Sequence, residues 1–299
     1  MTLSNYLSKH HQAGTAKIYL FEIGHYLEWM GEGAQKASHE EVLCYVDYLR
    51  DRYGKAATIS RIIHAIKRYY CYLQEIGKRR DHPCRLLNIR DAKEDRDIQI
   101  QDLLKPEELQ RLLSRKERFP SYALRNSLIM SLLVNQALLS REIVGLKVQD
   151  VNLEKGTIYI RQTSKTNGRT LPLKAEQIML IHRYLSGFRA RMVKEETAAL
   201  IITGRGTAEQ GEGIHYLVTT FRKKLPGKKL TPMTIRQSVI ANKLKAGKDL
   251  RIVQVFAGHR QPSSTEAYRS TNLEELKVAV AKYHPLNELL PTRQVGFNQ

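Results

Sequence analysis

Cysteine is scarce in this 299-residue chain: Cys44, Cys71 and Cys84 cannot all pair with one another, and no two of them form a C-x-x-C unit. Neither a disulfide scaffold nor a structural zinc site is expected, and a reducing cytoplasm is the compartment that fits. Long apolar runs are missing as well. No uninterrupted stretch approaches the roughly 20 residues of a membrane helix, and the start, MTLSNYLSKHHQAG, lacks the charged-then-apolar plan of a secretory signal. No membrane partner is expected. There is no internal repeat and no low-complexity tract. The one glycine-rich polar loop, residues 203–213 (TGRGTAEQGEG), matches neither Walker nor dinucleotide spacing and receives no phosphate-binding role. Acidic residues are in short supply, 30 against 49 Lys plus Arg, for a formal net charge of +19.

What is present fits a globular protein, with 42% apolar and 26% charged residues. The length exceeds one typical domain and points to two, each with room for a core. The charge is unevenly placed. Residues 1–95 carry 15 basic and 12 acidic residues, which leaves 34 and 18 for residues 96–299, an excess of +16. Such an excess suits a polyanion, and nucleic acid is the commonest one in the cytoplasm. A solubilising basic surface would give the same composition.

The first third reads as helices. Residues 15–30 put Ile18, Tyr19, Phe21, Tyr26, Leu27 and Met30 at roughly helical spacing. Ser38 followed by Glu41 has the form of a capping box, opening a helix through Val42, Tyr45, Val46 and Leu49. The clearest helix spans about Thr58–Ile76, with Ile59, Ile62, Ile63, Ile66, Tyr69, Tyr70 and Leu73 on one face and Gly77 as terminator. Arg61, Lys67 and Arg68 lie on its other face, which is either a DNA-facing surface or an ordinary solvated one. Residues 91–102 (DAKEDRDIQIQD) are polar, without apolar periodicity, and read as an interdomain linker. Pro106 with acids behind it opens a further helix, and more helices follow around 121–135, 140–149 and 174–191. Between the last two, Thr157–Ile160 and Leu171–Leu173 favour strand. The Asn167-Gly168 pair predicts a hairpin turn there, with Lys165 and Arg169 near its tip.

Three later features complete a pattern. Thr231-Pro232-Met233-Thr234-Ile235-Arg236 starts a helix after a basic stretch (Arg222, Lys223, Lys224, Lys228, Lys229). Gly258-His259 follows, and Tyr268 lies nine residues beyond His259. Taken singly, each residue has an ordinary reading: a packing tyrosine among fifteen, a structural histidine, an exposed hairpin lysine. Arg236 near a helix start is badly placed unless an anion binds there. Taken in order and at these spacings, the set over about residues 105–286 resembles the catalytic domain of the tyrosine recombinases, the phage-integrase family. Residues 1–95 resemble that family's core-binding domain more weakly.

The resemblance implies a mainly α fold with a small β-hairpin or sheet: a helical core-binding domain over residues 1–95, a linker at 96–104, and a mixed α/β catalytic domain over 105–299. A terminal helix from Thr271, with Leu273, Leu276, Val280 and Tyr283 on one stripe, would dock on its own core or on a neighbour. The implied activity is site-specific cutting and rejoining of duplex DNA, through a covalent 3′-phosphotyrosine at Tyr268. Arg236 would clamp the phosphate, Lys165 would act as general acid, and His259 would contact phosphate or carry a proton; no cofactor and no metal is implied. The implied partners are duplex DNA and further copies of the chain, up to a tetramer, with another recombinase as a further possibility. A mobile-element integrase is one role among several that fit.

Two positions depart from the pattern. The family's first box reads G-L-R-x-x-E. Aligning Glu142 puts Leu139 where the arginine belongs, with Arg141 as a possible substitute clamp two residues on, about 200° around a helix. Met233 replaces the histidine of H-x-x-R. A missing charge donor typically costs about 10²–10³ in rate. A DNA-binding member without cleavage, acting as structural partner or regulator, is therefore the alternative reading. A topoisomerase-like nicking and rejoining activity is a third.

Overall fold

A computed structural model describes residues 1–89, 100–114, 117, 119–194 and 197–268. The chain divides into two compact units, residues 1–97 and 98–299. The fold is mainly helical with one small antiparallel sheet. Among the described residues no helix is long and apolar enough to cross a membrane.

The first unit packs α1 (Leu3–His10), α2 (Ala13–Met30), α3 (His39–Arg52) and α4 (Ala56–Glu75) around one core. Ser38 starts α3 through a reciprocal capping box: its backbone N–H donates to Glu41 Oε2 (2.7 Å), and the Glu41 N–H donates to Ser38 Oγ (3.2 Å). The predicted face of α4, Ile59 to Leu73, is buried throughout. Each aliphatic side chain so buried stabilises by about 1.5–3 kcal/mol. Gly77 stops the helix at φ +72°, letting Lys78 N–H return to Leu73 O (3.0 Å) and Gly77 N–H to Gln74 O (3.1 Å). Tyr26 and Tyr70 share a hydroxyl contact of 2.5 Å, and Tyr70 Oη donates onward to Ala34 O (3.0 Å). Their polar atoms are thereby satisfied inside an apolar core.

Two expectations fail in α2. Ile18 and Phe21 are exposed rather than on the packed face. That face instead includes Ala16, Ile23, Tyr26 and the carboxylate residue Glu22, which pairs with Arg61 Nη2 at 2.8 Å. A helix with apolar residues on several faces gives no clean periodicity, and here a buried carboxylate, paired with an exposed arginine, takes a place on the packed face.

The second unit contains α5 (Pro106–Leu113), α6 (Ala123–Gln136), α7 (Ser140–Gly145), β1 (Val151–Asn152), β2 (Thr157–Ile160), β3 (Arg169–Pro172), α8 (Ala175–Arg183), α9 (Ala190–Met192), α10 (Gly211–Thr219), α11 (Pro232–Lys245), α12 (Leu250–Ala257) and α13 (Ser263–Glu266). A π-helical stretch, Tyr184–Arg189, joins α8 to α9, so the helix predicted from 174 to 191 is continuous but locally widened. Central to the core is α6, whose Leu128, Ile129, Met130, Leu132 and Leu133 are all buried. The sheet order is β1-β2-β3, antiparallel. Residues 100–104 lie within this unit. Leu104 is in its core and its N–H donates to Ser238 Oγ (2.8 Å), while Asp102 Oδ1 accepts from Lys229 N–H (3.0 Å). The rest of the expected linker, residues 91–99, and the expected terminal helix from Thr271 lie outside the described residues.

The hairpin differs from its prediction. Ile160 pairs with Arg169, so β2 and β3 are joined by the eight residues 161–168, and Asn167-Gly168 is not the turn. The turn falls at Thr163–Thr166. Thr163 N–H donates to Thr166 O (2.9 Å), and Thr163 Oγ1 accepts from the N–H groups of Lys165 (3.2 Å) and Thr166 (3.1 Å). Lys165 is at the tip and exposed; Arg169 is buried as the first residue of β3.

Candidate active site

The site is organised around one buried carboxylate. Leu139 is the N-cap of α7, and its N–H donates to Glu142 Oε2 (2.9 Å), turning the Glu142 side chain back into the core. Arg169 grips that carboxylate with both terminal nitrogens, Nη1 to Oε1 at 2.8 Å and Nη2 to Oε2 at 3.1 Å. Thr166 Oγ1 donates to Oε1 (2.9 Å), and Arg236 Nη1 stands 3.8 Å from Oε2. Burial works against the charged form of Glu142, yet the hydrogen bonds and charge of Arg169 hold its carboxyl below the usual range.

Arg236 sits in the second turn of α11, a helix begun by Thr231, whose Oγ1 accepts from Thr234 N–H (3.1 Å). Its guanidinium is buried and donates from Nη1 to Ala137 O and from Nη2 to Ala257 O, both at 2.6 Å. Those carbonyls lie at the C-terminal ends of α6 and α12, where helices leave acceptors unpaired. Arg169 and Arg236 against Glu142 leave one excess positive charge among these side chains. A buried cation excess of that kind is stabilised by an anion, and a phosphate supplies one with matching acceptors.

Gly258 ends α12 at φ +70°, and a Cβ there would lie 2.5 Å from Arg169 Nη1. Only glycine meets both demands. His259 follows. Its Nδ1 is 2.8 Å from Thr265 Oγ1, and its backbone forms an antiparallel bridge with Thr166. Burial, then the charges of Arg236 and Arg169, push its imidazole down to about 4, so it is neutral near pH 7. The Tyr268 ring lies parallel to that imidazole, with centroids 6.2 Å apart at 13°. Tyr268 is only 7% exposed and packs with Ile240, Ala241, Val253 and Ala257. Burial raises its phenol above the usual value, and Arg236 acts in the opposite sense.

The fold thus gathers Arg236, His259 and Tyr268 beside the Glu142–Arg169 pair, and leaves Lys165 on the exposed turn. Leu139 is half-buried; Met233 is exposed in the first turn of α11. Arg141 is exposed, yet its charge is felt at Arg236. Of the basic stretch before Arg236, Arg222, Lys223 and Lys224 are exposed, while Lys228 bonds to Glu108 Oε2 and Leu103 O, each at 2.7 Å.

Sequence reasoning missed the Glu142–Arg169–Thr166 cluster and placed Arg169 at the hairpin tip. Strand alternation carried the signal: Arg169, Leu171 and Leu173 are buried while Thr170 and Pro172 face out, so period two already puts Arg169 inward.

A mainly helical chain with a small antiparallel sheet and a buried Arg236–His259–Tyr268 cluster has the form of a tyrosine-recombinase catalytic unit. The model of the phage integrase family matches residues 102–275, more than half of the chain, and the chain belongs to that family. Its relatives include the tyrosine recombinase XerD of Oceanobacillus iheyensis, 28% identical over 287 residues covering 91% of this chain and 92% of that protein. The tyrosine recombinase XerC of a Roseiflexus species is 28% identical over 241 residues, covering 79% and 75%. XerH recombinase bound to a difH substrate in a pre-cleavage complex shares the fold at a TM-score of 0.73, with 20% identity over 92% of this chain and 83% of that one. A lambda integrase dimer bound to a core site does so at 0.65, with 16% identity over 90% and 95%.

Proposed function

We propose that the chain is a site-specific recombinase that cuts and rejoins duplex DNA through Tyr268. The observation that carries this reading is the excess positive charge of Arg236 and Arg169 over Glu142, set beside an imidazole stacked on a buried tyrosine. In the reaction, Tyr268 Oη attacks the scissile phosphorus; the Oη–P bond forms and the P–O5′ bond breaks. The phenol proton passes to neutral His259 or to water, and the Lys165 ammonium protonates the leaving 5′-oxygen. Arg236 neutralises charge on the non-bridging oxygens. Rejoining reverses these steps with another strand's 5′-hydroxyl.

Residues 1–95 would serve as the core-binding domain and 105–299 as the catalytic domain, closing on a duplex in the cytoplasm. Affinity would come mostly from phosphate contacts and so depend steeply on salt. Assembly on paired sites would use up to four copies, or copies of a second recombinase. The XerH and lambda integrase structures, bound to difH and to a core site respectively, support DNA as the partner here.

The neutral Leu139 favours a second reading, a DNA-binding member without cleavage. Arg141, exposed and electrostatically coupled to Arg236, is the candidate substitute clamp. A nicked duplex, carrying the site that Tyr268→Phe protein selects from a random-sequence pool, separates the readings. The recombinase becomes trapped as a denaturation-resistant adduct that Tyr268→Phe never forms. Equal binding with no adduct from either protein sinks cleavage and leaves the second reading.

A further inference from the structure

Lys165 presents a mechanical problem. A general acid has to meet the leaving oxygen in a fixed geometry, yet this side chain is exposed on an eight-residue connection, the kind of segment that ordinarily moves most. The residues that flank it answer the problem. On the C-terminal side, Thr166 is buried: its hydroxyl donates to Glu142 and its backbone bridges to His259, while Asn167 N–H donates to Gly258 O (2.9 Å). That limb is fastened from inside the protein. On the N-terminal side, the carbonyl of Ser164 accepts from Arg260 Nη1 at 3.1 Å. Arg260 is exposed and directly follows His259, so the latch comes from the same turn that carries the imidazole.

We infer that Arg260 is a positioning residue for Lys165, latching the β2–β3 connection to the His259 turn so that acid and imidazole keep one relative placement. The inference rests on the reading of Lys165 as general acid. With the peptide units on both sides of Lys165 held, the direction of its Cα–Cβ bond is set, and only side-chain rotation remains to be ordered. Without Arg260, the Ser164 carbonyl loses its partner from the His259 turn, and the Thr163–Thr166 turn that carries Lys165 is tied to that part of the chain through the Thr166 bridge and the Asn167 N–H, on its C-terminal side. Because Arg260 is exposed and its loss opens no cavity, its replacement leaves the fold intact.

The test uses the full chain and two nicked duplexes on the selected site, one with the natural 5′-oxygen at the scissile phosphate and one with sulfur in its place. A thiolate leaves without being protonated, so the sulfur substrate bypasses the general acid. Single-turnover adduct formation is measured under saturating protein for wild type, Lys165→Ala, Arg260→Ala and Arg260→Lys. On the oxygen substrate, Arg260→Ala is expected to slow the reaction by about 10- to 100-fold, part of what a general acid contributes. Arg260→Lys, still able to donate to a carbonyl, recovers part of the loss. On the sulfur substrate, Arg260→Ala and Lys165→Ala both return to near the wild-type rate. An equal loss on both substrates overturns the inference and makes Arg260 a phosphate contact; no loss on oxygen overturns it as well. If Lys165→Ala stays slow on sulfur, the acid role of Lys165 itself fails. If wild type forms no adduct on either substrate, the proposed cleavage fails and the inference falls with it.

Discussion

Arg169 Nη1 occupies the space that a side chain on Gly258 would need, since a Cβ there would come within 2.5 Å of the guanidinium. The glycine of the Gly258-His259 pair is therefore fixed by an arginine 89 positions earlier in the chain, and by its own φ of +70°.

Gly258→Ala should destabilise the second unit. The left-handed backbone costs about 1–2 kcal/mol for an L-residue, and displacing Arg169 from Glu142 disrupts a buried pair whose breakage costs about 3–5 kcal/mol. A total loss of at least about 3 kcal/mol is expected by urea denaturation, together with lost adduct formation. A loss of only about 1–2 kcal/mol, the cost of the backbone alone, would mean that Arg169 can move aside freely.

Ala137 gives the opposite expectation. It is the one described non-glycine residue with positive φ, +52°, and its carbonyl accepts from Arg236. Glycine normally weakens a chain by gaining freedom in the unfolded state. Here relief of the left-handed strain offsets that loss, so Ala137→Gly should be neutral or stabilising by up to about 1 kcal/mol. A clear drop in melting temperature would contradict the strain argument.

Removing the central carboxylate tests the charge balance. Glu142→Ala leaves Arg169 and Arg236 buried without their shared partner, and a cost of about 3–5 kcal/mol is expected. Added sulfate should restore more stability to Glu142→Ala than to wild type, because an anion then replaces the missing charge. Equal responses to sulfate would argue that the two guanidinium groups are not the source of the loss.

His259 predicts a pH dependence. Its imidazole is held at about 4 in the folded state, below the usual 6.5. The unfolded chain therefore binds a proton between those values that the folded one does not, and stability falls as pH drops from 6.5 towards 4. Above 6.5 this contribution is flat. Thermal unfolding of wild type and His259→Asn across pH 4–7 should show a shallower acid slope in the variant. Glu142, held below the usual carboxylate range by Arg169, also loses its contribution as pH falls, and that share of the acid loss is common to both proteins.

Leu139→Arg restores a charge donor at the N-cap of α7, beside Glu142. If cleavage is limited by that missing donor, adduct formation should rise by roughly 10²–10³, with Met233→His adding less. Arg141→Ala should slow wild type and leave Leu139→Arg unaffected if Arg141 is the substitute clamp. No change in any of these would remove Leu139 and Arg141 from the account.

Much of the fold is legible where local rules decide it. The capping box at Ser38 and Glu41, the face of α4, the stop at Gly77 and the start at Pro106 each depend on residues within one or two turns. The hairpin is legible as two strands but not as a turn. Asn167 spends its N–H on Gly258, a partner 91 positions away, and the threonines at 163 and 166 take over the reversal. Order and spacing single out Arg236, His259 and Tyr268 as candidates, whereas their shared support is not legible. Glu142 and Arg169 are charges, and charges read as surface until a long-range partner makes burial affordable.

The burial of Tyr268 has one more consequence. A duplex is far too wide to enter a protein interior, and a side chain 7% exposed cannot meet a backbone phosphate from where it lies. For the proposed cleavage, the segment from Ser263 to Tyr268 would have to come away from Ile240, Val253 and Ala257 first. Under the proposed function, holding a duplex and cutting it would then be separate events, the second waiting on release of the tyrosine.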